Sequence, residues 1–187
     1  GADGNTKEQM AVTLHFEGSI PDNRFHKLFG QLATTFNQQG QKGDYELSIA
    51  NALWMQKDFQ FFPAWLKQME SSYDAAFELV DFEKNPDLVR RQINQWVEDK
   101  TKDKIKELFK QDSLDEQTRL VLTNAVYFKG NWAVQFPKDN TKDTPFYINK
   151  SDTLDVSMMY QKEKFRFADC DDILLLQLPY QGKSLSM

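Results

Sequence analysis

One cysteine, Cys170, stands alone among 187 residues, so neither an internal disulfide nor a cysteine-rich zinc site can be built. Only two histidines are present, His15 and His26, and neither has an obvious sequence partner for catalysis or metal binding. No apolar run approaches the ~20 residues that a helix needs to span a bilayer, so no membrane partner is expected. No segment is basic without acids beside it. Lys100, Lys102, Lys104, Lys106 and Lys110 alternate with Asp99, Asp103 and Glu107, which makes a solvated face and not a phosphate-binding stripe. With a net charge of −5 as well, nucleic acid is not an expected partner. Eight glycines and six prolines are too few for a fibrous or flexible chain.

What is present is apolar bulk. The chain is 40% hydrophobic with 15 Phe and four Trp, enough for one domain with a substantial core. Its most telling segment is Thr118-Arg-Leu-Val-Leu-Thr-Asn-Ala-Val-Tyr-Phe-Lys-Gly-Asn-Trp132. The nearly continuous apolar run predicts a strand buried on both faces. Asn124 interrupts it. A buried amide left unpaired costs about 1–3 kcal/mol, so Asn124 is expected to be buried and hydrogen-bonded across the sheet.

Helices and strands mix early and strands dominate late, which predicts an α+β fold. Thr6 to Phe16 fits a short helix capped by Thr6, with Met10, Val12 and Leu14 inward. Phe25 to Phe36 carries Phe25, Leu28, Phe29, Leu32 and Phe36 on one helical face, and polar Gln38 to Lys42 ends it. Tyr45 to Met55 reads as a long buried strand. Phe61 to Tyr73 is helical, with Phe62, Trp65, Leu66, Met69 and Tyr73 in one stripe, and Phe77 to Phe82 alternates like a strand. Asn85 caps the next helix, with Pro86 in its first turn and Val89, Ile93, Trp96 and Val97 inward. That stripe lapses after Glu98, so the helix is expected to end near Thr101. A crossing segment with Ile105, Leu108 and Phe109 returns to the Thr118 strand. Pro145 to Ile148, Leu154 to Met159, Lys164 to Phe167 and Ile173 to Pro179 complete the chain as strands.

These motifs, taken in order, resemble the serpin family along essentially the whole chain. Gly1-Ala-Asp-Gly through Phe16 is similar to the serpin third helix, and Leu47 to Asp58 to the second strand of the large central sheet, sheet A. Ile93-Asn-Gln-Trp-Val-Glu98 with Thr101 and Ile105 resembles helix F, which lies across that sheet. Leu122 to Trp132 is similar to the third strand of sheet A and its exit. Val156-Ser-Met-Met-Tyr-Gln161 and Leu176 to Met187 resemble later strands of the other sheets, B and C. Asp103 departs from the family where glycine is usual, Ser157 where proline is, and Glu163 where glycine often follows Met-Met.

The resemblance implies a suicide inhibitor of serine endopeptidases: a reactive loop is cleaved and inserts into sheet A, driven by a metastable fold. It places Asn124 in the shutter where the sheet opens, Gly130 and Trp132 in the breach where insertion begins, and Asn94, Trp96 and Thr101 on helix F above the moving strand. None of these roles is catalytic, and no enzyme activity, cofactor or metal is expected. The first two helices, the fifth strand of sheet A and the reactive-centre loop have no counterpart here. The 187 residues are thus expected to be a single incomplete domain, cut at both ends. Alone it should be inactive, and it should pair with the missing half or self-associate through its exposed sheet edge. The family also implies an extracellular or secreted protein. A non-inhibitory carrier, storage or chaperone-like serpin is the alternative. Strong glycosaminoglycan binding is not expected, because the segment Arg24 to Phe36 offers only Arg24, His26 and Lys27.

Three other patterns have ordinary readings. Gly182-Lys-Ser184 mimics the tail of a phosphate loop, but Gln177 occupies the earlier glycine position and no helix follows. Asp169-Cys-Asp-Asp172 reads as an acidic turn. Asn149-Lys-Ser151 is a glycosylation sequon in form.

Overall fold

The computed structural model describes residues 2–16, 22–41 and 43–187. Gly1, in the opening segment, and Lys42, in the polar stretch after the second helix, lie outside the described residues. The element order is α1 (Gly4–Thr13), α2 (Asp22–Gln39), β1 (Tyr45–Gln56), α3 (Pro63–Tyr73), β2 (Ala76–Val80), α4 (Pro86–Lys100), β3 (Leu120–Gly130), β4 (Lys142–Tyr147), β5 (Thr153–Met158), β6 (Arg166–Cys170) and β7 (Ile173–Gln177). The α+β expectation is met. Contacts divide the chain into two units, residues 1–41 with 47–128, and residues 42–46 with 129–187.

The first unit is built on a three-stranded sheet in the order β2-β1-β3. β1 and β2 run parallel, with Leu53 opposite Phe77 and Met55 opposite Leu79, and α3 makes the crossover that parallel pairing requires. β3 runs antiparallel to β1: Gln56 N donates to Arg119 O at 2.9 Å, while Asn124, further along, reaches back to Asn51. Because side chains alternate along a strand, the two faces of this sheet have separate cores. On one face Ala52 and Trp54 pack with Phe82 and with Val89, Ile93 and Val97 of α4. On the other, Leu53 and Met55 pack with Trp65, Leu66, Met69 and Tyr73 of α3, and Leu120 joins them.

Several expectations need correction. β3 is not buried on both faces: Thr123 and Ala125 are buried, but Leu122 is 63% and Val126 54% exposed. The α3 cluster reaches Leu120, and Leu122 and Val126 beyond it stay exposed. α1 is capped by Asp3, whose Oδ1 accepts from Gly4 N at 2.9 Å, and Thr6 lies inside the helix. Met10, Val12 and Leu14 are exposed: Val12 points away from the side that Met10 and Leu14 share, and no residue of α1 is buried. Phe62 precedes α3 and is 83% exposed, outside the stripe assigned to it. Asn85 occupies the cap position of α4 with no side-chain cap bond, and Pro86 alone marks the start.

Two close contacts seat α2. Asn37 mimics a strand partner, its Nδ2 donating to Ile49 O at 2.9 Å and its Oδ1 accepting from Ile49 N at 2.7 Å. Gly30 lies against α3 so tightly that a Cβ there would sit 1.7 Å from Ser72 O. The second unit carries two antiparallel hairpins, β4–β5 and β6–β7, and isolated bridges Trp132 to Tyr180 and Pro179 to Ser186.

Candidate functional site

The seam between β1 and β3, with α4 laid on it, gathers most of the residues singled out from sequence. Trp54 of β1 faces α4, and its indole N–H donates to Thr123 Oγ1 of β3 at 3.0 Å, inside the core. Trp96 meets Trp54 edge-to-face, with centroids 6.3 Å apart and rings at 87°. It is half-buried against the Ile93 and Val97 cluster. This geometry suits a helix held down mainly by apolar contact.

Asn94 and Thr101 organise the way out of α4. Asn94 is buried and exchanges two hydrogen bonds with the backbone of Phe109, 15 residues on. Arg90 adds a third, Nη1 donating to Phe109 O at 3.1 Å, and pairs with Asp87 at 2.8 Å. The hydrogen bond from Arg90 is the largest cause holding the Asp87 carboxyl below the usual range. Thr101 is fully buried at the helix C-cap. Its Oγ1 donates to Val97 O at 2.7 Å and accepts from Ile105 N at 3.1 Å. Lys102 and Asp103 follow at φ 50° and 61°, the left-handed region that glycine enters without penalty. Asp103 is the position where the family pattern has glycine.

Asn124 lies on the opposite face of the sheet from α4, the face that β3 leaves open. It is exposed, not buried as the apolar run suggested. Its Nδ2 nevertheless donates across the seam to Asn51 Oδ1 at 2.9 Å, with a longer contact to Ala50 O at 3.4 Å. Asn51 in turn donates to Tyr73 O at 3.2 Å. Tyr73 Oη stands 2.7 Å from His26 Nδ1 on α2, and burial raises its phenol pKa. Sequence reasoning missed Asn51, although it interrupts an apolar strand just as Asn124 does. Thr123 and Lys102 gave no comparable signal.

At the edge of the same unit, Lys57 and Asp81 pair at 2.9 Å. The Lys57 hydrogen bond is the largest cause lowering the Asp81 carboxyl, and it raises the lysine in return. Buried Gln56 completes this corner, its Oε1 accepting from Phe82 N at 2.7 Å.

In the second unit, Trp132 stacks on Tyr180 with centroids 4.6 Å apart and rings 10° from parallel, and Phe136 touches the Trp132 edge. Gly130 closes β3 immediately before it. Gly182 and Lys183 form the turn between the segments bridged at Pro179 and Ser186, so the phosphate-loop mimic is a turn with no helix behind it. Asp171 and Asp172 turn the β6–β7 hairpin, and Asn149 to Asp152 turns β4–β5 with Asn149 Oδ1 accepting from Ser151 N at 2.9 Å. Among the described residues no three His, Cys, Asp or Glu side chains converge as a metal site, and no helix is long and apolar enough to cross a membrane.

A strand seam beneath a crossing helix, with an amide bridging the seam, is the arrangement that the sequence motifs pointed to. The serpin (serine protease inhibitor) family profile matches residues 1–187. The chain belongs to the serpin family. It is 42% identical over its full length to a leukocyte elastase inhibitor of Equus caballus and covers 48% of it. To serpin B4 of Homo sapiens it is 38% identical, covering 51%. Among solved structures, ovalbumin from emu (Dromaius novaehollandiae) superposes with a TM-score of 0.89 at 31% identity, over all of this chain and 51% of that one. This serpin chain thus spans about half the length of the relatives it matches. One expectation falls. Leukocyte elastase inhibitor and serpin B4 belong to the intracellular clade B serpins, so kinship with serpins at large no longer supports an extracellular or secreted location.

Proposed function

We propose that these 187 residues are part of a single serpin domain whose complete form inhibits a serine endopeptidase by reactive-loop cleavage and insertion into the central sheet. The observation that carries this reading is the match, over every residue, to leukocyte elastase inhibitors. Elastase-type serine proteases are accordingly the first targets to test. In this scheme Asn124 and Asn51 bridge a seam next to the site of insertion. Gly130 and Trp132 lie where insertion begins. α4, through Asn94, Trp96 and Thr101, yields as the strand enters. The stabilisation gained by an added strand supplies the work, so no residue here acts as a catalyst.

The 187-residue chain by itself should form no covalent adduct. It should associate with copies of itself, or with the remainder of the domain, through the exposed edge of β3, the outer strand of its sheet. Incubation with trypsin-like, chymotrypsin-like and elastase-like enzymes on a denaturing gel tests this. The expected result is no higher-mass band with this chain and a stable band with the complete protein and an elastase-type enzyme. A complete protein that gives no band with any of the three would point to the non-inhibitory carrier, storage or chaperone-like reading. Light scattering tests self-association, and a clean monomer of 21.9 kDa would count against it.

A further inference from the structure

The exit of α4 is both strained and pinned. Two successive non-glycine residues, Lys102 and Asp103, take left-handed backbone conformations at φ 50° and 61° directly after the Thr101 cap. For an L-residue this conformation is unfavourable, more so twice in a row. The turn is nonetheless closed by Asp103 N donating to Glu98 O at 2.9 Å and Lys104 N donating to Thr101 O at 3.2 Å. The left-handed backbone at Lys102 accompanies a specific placement of its side chain: Nζ stands 5.0 Å from the centre of the Tyr127 ring on β3. A lysine ammonium over a tyrosine face at this distance is held by the ring quadrupole. These two backbone hydrogen bonds and one cation–ring contact thus converge on the point where α4 leaves the sheet.

We propose that Lys102 and Tyr127 form a charge-dependent latch that holds the strained exit of α4 on β3. The latch lets the strain persist: with the ammonium removed, nothing in the cation–ring contact opposes unwinding of the Lys102–Asp103 turn, and the last turn of α4 opens more often. Thr101 and Ile105 feel this first, because the bond from Ile105 N to the Thr101 hydroxyl spans this turn. Its regulatory consequence rests on the reading above that α4 must yield for a strand to enter. There, the latch sets how readily the helix lets go, and neutralising Lys102 speeds release.

Hydrogen exchange on the 187-residue chain tests the latch without any protease, so its outcome is separate from that of the inhibition assay. Lys102→Gln and Tyr127→Leu should each speed exchange of the Thr101, Asp103 and Ile105 amides by about two- to fivefold. The double substitution should be no faster than either single one, and Lys102→Arg, which keeps the cation, should stay near the starting rate. Effects that simply multiply, Lys102→Arg matching Lys102→Gln, or a starting chain whose three amides are unprotected would each overturn the proposal. Lys102→Gln is a surface change and carries the test even where Tyr127→Leu fails to fold.

Discussion

Asn94 and Phe109 exchange two hydrogen bonds: Asn94 Nδ2 donates to Phe109 O at 2.8 Å, and Phe109 N donates to Asn94 Oδ1 at 2.9 Å. A side-chain amide on a helix thereby ties down an irregular return segment, replacing the strand partner that Phe109 lacks. Asn94→Ala leaves both groups of Phe109 without these bonds and should cost about 1–3 kcal/mol of stability. Asn94→Asp keeps the acceptor but sets a carboxylate oxygen against Phe109 O in a buried site, so its cost should be at least as large. Urea unfolding of the two variants checks the order.

Trp54 and Thr123 make the corresponding test within the seam. Thr123→Val preserves shape but strands a buried indole N–H, at a cost of about 1–3 kcal/mol. The tryptophan fluorescence of the native state should shift as well, because Trp54 also meets Trp96. A neutral Thr123→Val would mean that another acceptor takes over the indole.

Acid should weaken the first unit through two carboxylates. Asp81 and Asp87 both have lowered pKa values in the fold, from the hydrogen bonds of Lys57 and Arg90 respectively. Each contribution is therefore present above the ordinary carboxylate value and lost as pH falls through the lowered one, below about pH 4. Lys57 is raised, so its share is intact below the ordinary lysine value and lost as pH climbs beyond about 10.4. Solvent screens both pairs, so the changes should be modest. Asp81→Asn should flatten part of the acid limb and most of the Lys57 alkaline limb in a plot of melting temperature against pH, the remainder coming from Asp58 and Glu83.

Asp103→Gly should stabilise the chain by about 1 kcal/mol, because glycine accepts φ 61° without a Cβ penalty. Differential scanning calorimetry would show a raised melting temperature. A lowered one would mean that the Asp103 side chain itself holds the turn.

Asn124→Ala should cost this chain only about 0.5–1.5 kcal/mol, since an exposed amide regains water when its bond to Asn51 is lost. In a longer form that covers this face the same substitution should cost more, about 1–3 kcal/mol. Comparing the two forms by chemical denaturation separates the cost of the hydrogen bond from that of burial.

The elements legible in sequence were those with one strong periodicity. α4 announced itself by Val89, Ile93 and Val97, and its end by the lapse after Glu98, and it runs Pro86–Lys100. β1 was bounded almost to the residue by its apolar run. What could not be read was which apolar surface is covered. Leu122, Val126 and Phe128 look like core in the sequence and are exposed in the fold, because periodicity reports a side chain's direction and not what lies there. The same limit misplaced Met10, Val12 and Leu14. The polar joints were half legible: Asn124 stood out against its apolar run, but its partner Asn51 was passed over. The Lys102–Tyr127 contact was invisible, since it joins a turn and a strand 25 positions apart through backbone angles that no pattern encodes.

The alternation on β3 has a consequence for mutational tolerance. A saturation library of residues 120–128, scored for soluble expression of this chain, should show intolerance with a period of two. Thr123 and Ala125 should reject large or charged replacements, while Leu122 and Val126 should accept them and even gain from them. Scored in a longer form that covers the second face, the period should disappear and both sets should become intolerant. The rhythm of tolerated codons along nine positions would then reveal, without any structure, how much of the surrounding protein each form has assembled.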